Sequence, residues 1–289
     1  MVEATFRPRG PFSLRLSAVW AGDATRRFDG RILLGLFEVE DGVARACAWQ
    51  ASDGRVELRS ESEEALEQLR RVLPLEEDHT PFLERFADDR LLGRTIRELG
   101  GKRPIRVGSV TQALVRAVCG QLIEAGRARK IERALIRATC ETDGVLRVPP
   151  TPACFAGLAP AQIQQRFDLT ARKASTIVRL CRTVDLERLR DAPPAGVARR
   201  LERERGLGPW SVGVIGLEGL GCYHFGLVGD LGLIKLCSAL LGRPAQPEDT
   251  AELLSRYGEW QGLASTYLLA GSARGLLPAR AEPDVLAAA

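Results

Sequence analysis

The chain has 289 residues, 45% of them hydrophobic and 27% charged, with a formal net charge of +4. That length accommodates two cores of ordinary size, and that composition is typical of a globular, water-soluble protein. No apolar run approaches the roughly 18 residues needed to cross a bilayer, so no membrane partner is expected; the small positive charge supports polyanion binding only if it is gathered on one face.

The opening residues, MVEATFRPRGPFSL, contain no apolar signal core, and a cytoplasmic location is expected. Phe12, Leu14, Leu16, Ala18 and Trp20 alternate with mostly polar neighbours, the period of a half-buried strand. Further strand-like runs follow at 32–39, 44–49 and 56–58, separated by the hairpin signals Asp41-Gly42 and Asp53-Gly54. Ser60-Glu61-Ser62-Glu63 offers a capping box for a helix whose apolar face is Ala65, Leu66, Leu69, Val72 and Leu73. Thr80-Pro81 starts another helix, carrying Leu83 and Phe86. Residues 1–105 therefore read as a small mixed α/β domain with an antiparallel sheet, and Gly100-Gly101-Lys102-Arg103-Pro104 as its seam with the rest.

From Val107 on the pattern is helical, giving an all-α domain over 106–289 and an α+β chain overall. Helices are predicted at about 109–125, 127–140, 160–167, 171–184, 193–205, 209–217, 231–241 and 248–270. Thr170 is placed to cap the fourth, whose buried stripe is Ile177, Val178, Cys181 and Val184; Val197 and Leu201, one turn apart, face a core. The tail 282–289 is expected to fray.

The seven cysteines (47, 119, 140, 154, 181, 222, 237) are odd in number and scattered without a CxxC pair, so they read as reduced structural thiols. Basic residues are nearly all arginine; the lysines are Lys102, Lys130, Lys173 and Lys235. The clusters Arg199-Arg200 and Arg127–Lys130 read as solvated helix faces. His79 and His224 are far apart, and neither sits in a metal motif.

The stretch from Leu201 to Asp230 is the most informative. Gly206-Leu207-Gly208-Pro209-Trp210-Ser211 joins two predicted helices; Gly206 and Gly208 permit a tight turn, and Pro209 suits the first position of the second helix. Amides around Gly206, Gly208 and Ser211 would then point outward at a helix N-terminus, where a DNA phosphate is held without base specificity. Such a hairpin can equally do no more than pack two helices. A flexible glycine-rich loop follows and ends in Asp230, which opens the helix 231–241; taken alone, an Asp there reads first as an N-cap.

These segments together resemble the helix-hairpin-helix DNA glycosylases, and within them the bacterial 3-methyladenine DNA glycosylase II type. The likeness rests on the hairpin Gly206–Ser211, on Gly229-Asp230-Leu231-Gly232-Leu233-Ile234-Lys235, on Val115–Leu122 with its Gly120-Gln121 pair, and on an α/β start at Pro11-Phe12-Ser13-Leu14. It covers most of the chain.

The resemblance implies that Asp230 is the catalytic acid, its carboxylate stabilising an oxocarbenium-like sugar cation. It implies that Leu122 is an apolar wedge in the minor groove. Trp210 becomes the pocket wall whose ring face attracts a cationic base, with Gln121, Tyr223 and Tyr267 as further base contacts. Gly206, Leu207, Gly208, Ser211 and Lys235 would touch DNA. Backbone carbonyls of Glu202, Glu204 and Leu207 would hold a structural Na⁺ or K⁺, with no other cofactor.

The implied partner is double-stranded DNA carrying a damaged base, which a monomer extrudes from the stack. Relatives that also nick the strand carry a lysine at the fifth hairpin place, where it forms a Schiff base. Here that place is Trp210, so the resemblance implies a monofunctional hydrolase acting on alkylated purines. Two places depart from the family. Val214, one turn after Trp210, is not aromatic, and in the last helix, Tyr267-Leu268-Leu269-Ala270-Gly271, Tyr267 alone could serve as the second stacking ring. A glycosylase for an oxidised or deaminated purine, and a non-catalytic DNA-binding protein, stay open beside this reading.

Overall fold

The computed structural model describes residues 1–278; the tail expected to fray lies outside them. Five strands form one antiparallel sheet: β1 (Val2–Phe6), β2 (Arg26–Phe28), β3 (Ile32–Val39), β4 (Gly42–Gln50) and β5 (Val56–Ser60), in the order β1-β5-β4-β3-β2. β3 to β5 are the three strands expected from alternation. Gly42 and Gly54 turn the hairpins with φ of +122° and +86°, backbone that a β-carbon disfavours.

The strand expected over 12–20 is instead a helix, α1 (Leu14–Ala18). The Ser13 hydroxyl accepts the Leu16 amide at 3.2 Å, and that cap starts a turn which buries Leu14, Ser17 and Ala18 at helical spacing. Trp20, read as an inward residue, is 78% exposed.

The next helix, α2 (Glu63–Val72), is capped by Ser62, which accepts the Ala65 amide; Ser60, the other candidate, ends β5 and donates to the Arg45 carbonyl. Its apolar face is the expected one and packs on Leu33, Phe37, Ala46 and Leu58 of the sheet. α3 (Thr80–Arg85) and α4 (Gly93–Leu99) follow and send Phe82, Leu92, Ile96 and Leu99 into the helical core.

The helical body comprises α5 (Val110–Gly120), α6 (Ala125–Thr139), α7 (Ala153–Ala156), α8 (Pro160–Arg166), α9 (Ala171–Thr183), α10 (Pro194–Glu202), α11 (Pro209–Val214), α12 (Leu231–Leu241), α13 (Pro247–Ser255) and α14 (Gln261–Ala273). α5 is the central rod, buried from Val110 to Cys119. Thr170 caps α9 as expected, accepting the Lys173 amide. The single helix expected over 248–270 is two, because Gly258 takes φ of +53° and breaks the run. α11 runs on into a wide π turn, Ile215–Leu220, that ends at Gly221.

Charge joins sheet to helices. Arg116 of α5, 7% exposed, contacts Asp23, Glu132 and Glu218. Burial pushes the Asp23 carboxyl up, but Arg26 and Arg116 outweigh it and hold it at about 2. At the expected seam, the buried Arg103 guanidinium donates to carbonyls of Arg9, Pro11, Pro74 and Glu77. Its side chain thereby saturates backbone groups of the loops 9–11 and 74–77, which lie outside strands and helices.

Candidate active site

α10 and α11 form the expected hairpin. Gly206 has φ of +95°, and a β-carbon there would lie 2.4 Å from Thr176 Oγ1 of α9, so both backbone and space demand glycine. Gly208 has an ordinary φ of −107° and nothing within 4 Å of where a β-carbon would stand. It leaves open space at the exposed tip formed with Pro209.

Two of the expected phosphate contacts turn inward. Leu207 is 8% exposed and its amide is already given to the Glu204 carbonyl at 3.1 Å. Ser211 is 1% exposed, its hydroxyl taken by Gln121. The Leu207 side chain joins the helical core, and the Ser211 hydroxyl faces Gln121 at the end of α5.

The loop before α12 is tied down rather than free. The Gly229 amide donates to Thr250 Oγ1 at 2.8 Å and the Leu227 amide to Ser265 Oγ at 3.1 Å. Gly226 lets Leu254 approach to 2.7 Å of a would-be β-carbon, and Gly229 takes φ of +80°. The glycines serve close packing and a sharp turn into Asp230.

Asp230 is an N-cap and more than an N-cap. Its Oδ1 accepts the Gly232 and Leu233 amides at 2.8 and 3.2 Å. Its Oδ2 accepts the indole N–H of Trp210 at 3.1 Å. The helix N-terminus favours the carboxylate charge, and the indole fixes the plane in which it lies. Hairpin and acid, 20 residues apart in sequence, thus meet through one hydrogen bond.

The upstream Gly120-Gln121 pair supports both. A β-carbon on Gly120 would stand 2.6 Å from Trp210 Cη2, so the edge of the ring abuts the end of α5 only because residue 120 is glycine. Gln121 spends its amide nitrogen on the Gly206 carbonyl, at 2.8 Å, and on Ser211 Oγ, at 3.0 Å. It braces the hairpin from below. Leu122 follows with φ of +57° and 94% of its surface exposed. A leucine in left-handed backbone is strained, and a fully exposed one gains nothing from folding.

Lys173 of α9 holds this strained turn, donating to the carbonyls of Cys119 and Gln121 at 3.1 and 2.8 Å. Sequence reading missed Lys173; the signal was there in an α5 whose last carbonyls had no partner assigned. Leu231, 46% exposed, and Lys235 lie one turn apart on the open side of α12, beside Asp230.

The two tyrosines do not reach this site as base contacts. Tyr267 is fully buried and its hydroxyl lies within 3.2 Å of the carbonyls of Leu99, Gly100 and Lys102. It anchors α14 to the end of α4, because a buried hydroxyl must find acceptors and these were at hand. Tyr223, 8% exposed, meets His79 edge-on and stacks on Trp260, and burial pushes its hydroxyl well above the usual tyrosine range. On the last helix it is Leu269 that comes beside Asp230, 2.6 Å from the β-carbon position of Gly232. Val214 is buried. His224 is exposed, its Nδ1 3.4 Å from Cys222 Sγ. Among the described residues no group of three or more His, Cys, Asp or Glu side chains is placed to hold a metal.

No family model matches the chain. It is 26% identical over 231 residues, 75% of each chain, to the DNA-3-methyladenine glycosylase of Bacillus subtilis. In fold it is similar to the 3-methyladenine DNA glycosylase of Archaeoglobus fulgidus, with a TM-score of 0.77 and 19% identity over 95% of this chain and 99% of that one. It is also similar to the 8-oxoguanine glycosylase/lyase of Clostridium acetobutylicum in complex with double-stranded DNA, with a TM-score of 0.73 and 15% identity over 91% of this chain and 92% of that one. In fold, and in the sequence of the hairpin and acidic loop that meet at Asp230, the chain resembles the helix-hairpin-helix DNA glycosylases of the 3-methyladenine type.

Proposed function

We propose that this protein is a monofunctional DNA glycosylase that hydrolyses the N-glycosidic bond of alkylated purines, of the 3-methyladenine and 7-methylguanine kind, in double-stranded DNA. The observation that carries the reading is the hydrogen bond from Trp210, at the fifth hairpin place, to Asp230. The residue that would be the Schiff-base lysine in a lyase is here an indole bound to the acid.

In this reading the exposed Leu122 enters the minor groove and the target nucleotide swings out. The open tip at Gly208 and Pro209, with Lys235, grips the backbone. The base lies against the Trp210 face, and its positive charge is favoured there. Asp230 faces the anomeric carbon, stabilises the developing sugar cation and orients the attacking water. An N-alkylated purine leaves as a neutral base, so no strong general acid is required. A Na⁺ or K⁺ ion held by the carbonyls of Glu202, Glu204 and Leu207 belongs to the same reading and would add positive charge under a phosphate. Glu204 keeps a second lone pair beyond the one that accepts the Leu207 amide.

Asp230→Asn tests the role of the acid, because asparagine caps a helix about as well as aspartate while carrying no charge. Excision should be lost, with duplex binding kept; substantial turnover would remove Asp230 from the chemistry. Borohydride trapping of a protein–DNA adduct would overturn the hydrolytic assignment. A second reading, an oxidised-purine glycosylase, is favoured by the aliphatic Leu269 beside Asp230 and by the fold shared with the Clostridium enzyme. Duplexes carrying 3-methyladenine, 7-methylguanine, ethenoadenine, hypoxanthine or 8-oxoguanine, assayed side by side, separate the two.

A further inference from the structure

Away from Asp230, two thiols face each other: Cys140 Sγ and Cys154 Sγ are 3.8 Å apart. Cys140 ends α6 in extended backbone, with φ of −114° and ψ of 151°. Cys154 lies in the four-residue α7, just after Pro149-Pro150-Thr151-Pro152. Neither sulfur lies in the interior of a long helix: Cys140 caps the end of α6 and Cys154 sits in a single short turn.

The chain between them, 141–153, leaves the helical body to hold the sheet. Asp143 pairs with Arg45 of β4, the Arg147 amide donates to the Ala24 carbonyl at 2.9 Å, and Leu146 and Val148 are buried against Ala24 and Leu36. It forms a clasp across the joint between sheet and helices, and the two cysteines stand at its two feet.

We propose that Cys140 and Cys154 are an oxidation site, which a peroxide converts to an intramolecular disulfide that closes this clasp and which a thiol reductant reopens. Cys154 is the attacking sulfur. It is the more exposed of the two, whereas Cys140 is 8% exposed. Contact with the Cys140 thiol, aided by the Thr151 amide and hydroxyl and opposed by burial, draws the Cys154 thiol down; the same contact pushes Cys140 up.

The Cys154 thiolate takes one oxygen of the peroxide; the O–O bond breaks and hydroxide leaves, giving a sulfenic acid. The Cys140 sulfur then attacks the Cys154 sulfur, the S–O bond breaks, and its oxygen leaves as water with the Cys140 proton. Two thiols lose two electrons in all, and hydrogen peroxide becomes two molecules of water. The sulfurs must close from 3.8 Å to about 2.05 Å. The other groups near the pair are Thr139, Arg147, Glu38 and the buried Cys181, the one further thiol that could compete.

The full-length protein is treated with hydrogen peroxide, free thiols are blocked with iodoacetamide, and peptides are mapped by mass spectrometry. The expected product joins the Cys140 and Cys154 peptides with loss of two hydrogens and reverts in dithiothreitol. Because the bond closes a short loop at a structural joint, the oxidised protein should melt about 5 °C or more above the reduced one. Cys140→Ser and Cys154→Ser should each abolish the link, and Cys181→Ser should retain it. Full alkylation of both cysteines after peroxide, a link to Cys181, or sulfinic acid on Cys154 without a link would overturn the assignment. An unchanged melting temperature in a linked protein would overturn the clasp.

Discussion

Gly120→Ala is the sharpest test of how this site is built, because it adds one carbon far from the reacting atoms in sequence. The new β-carbon would lie 2.6 Å from Trp210 Cη2, where ordinary contact needs about 3.6 Å, so the indole must retreat by about 1 Å. The Trp210 N–H to Asp230 Oδ2 bond starts at 3.1 Å and cannot survive a retreat of that size. A misplacement of about 1 Å at a catalytic group costs on the order of 10²-fold in rate, or about 2.7 kcal/mol of barrier. Helix stability works in the opposite direction: Gly120 ends α5 without a positive φ, and alanine is favoured over glycine there by up to about 1 kcal/mol. The expected variant is folded and binds duplex DNA within a few-fold of wild type, because Leu122 and the hairpin tip are untouched. Its single-turnover excision rate should fall by about two orders of magnitude. A rate within about threefold of wild type would refute the dependence of Asp230 on Trp210. Trp210→Phe, which keeps an aromatic ring but removes the N–H, should reproduce the deficit in part.

Leu122→Gly should separate stability from function. Glycine relieves the left-handed strain at φ of +57° and gives up no buried surface, so the melting temperature should hold or rise, while excision from duplex falls at least tenfold and excision from a mismatched, readily flipped site falls less. His79 is fully buried, with neither ring nitrogen hydrogen-bonded among the described residues; burial and then the Arg103 charge lower its pKa to about 3. Between about pH 6.5 and 3 the unfolded chain binds a proton there that the folded chain does not, so stability is lost as pH falls, with a slope approaching about 1.4 kcal/mol per pH unit. In urea melts from pH 7 to 4, His79→Phe should lose that part of the slope; an unchanged slope would mean the imidazole protonates in the folded protein.

Much of the framework was legible because local rules decided it. β3, β4 and β5 follow from alternation and from glycines whose positive φ closes the hairpins. α2 and α9 follow from caps and apolar stripes, and α12 from its Asp230 cap, whereas the helix expected over 109–125 ends at Gly120. Where local signals competed, one of them had to be chosen without tertiary context. At 12–20 the apolar alternation lost to the Ser13 cap, and at 248–270 an apolar run lost to a single Gly258. β1 and β2 are short and take their place only from their neighbours in the sheet.

The candidate site divides in the same way. Residue types and short spacings singled out by themselves the hairpin and the acid at the start of α12, and the resemblance to the glycosylases added the Gly-Gln pair and the absence of a lysine at the fifth hairpin place. Each is a property of a few consecutive residues. Only the tertiary structure decided which groups meet. It brought Trp210 to Asp230, placed Gly120 against the edge of the ring and Lys173 under the Leu122 turn, and turned Ser211 and Leu207 inward. It also used up Tyr267 on three backbone carbonyls and put Leu269 beside the acid instead. Hydrogen-bond partners and close contacts between segments 20 to 168 residues apart depend on how helices pack, and packing is set by the whole core rather than by any one stretch of chain.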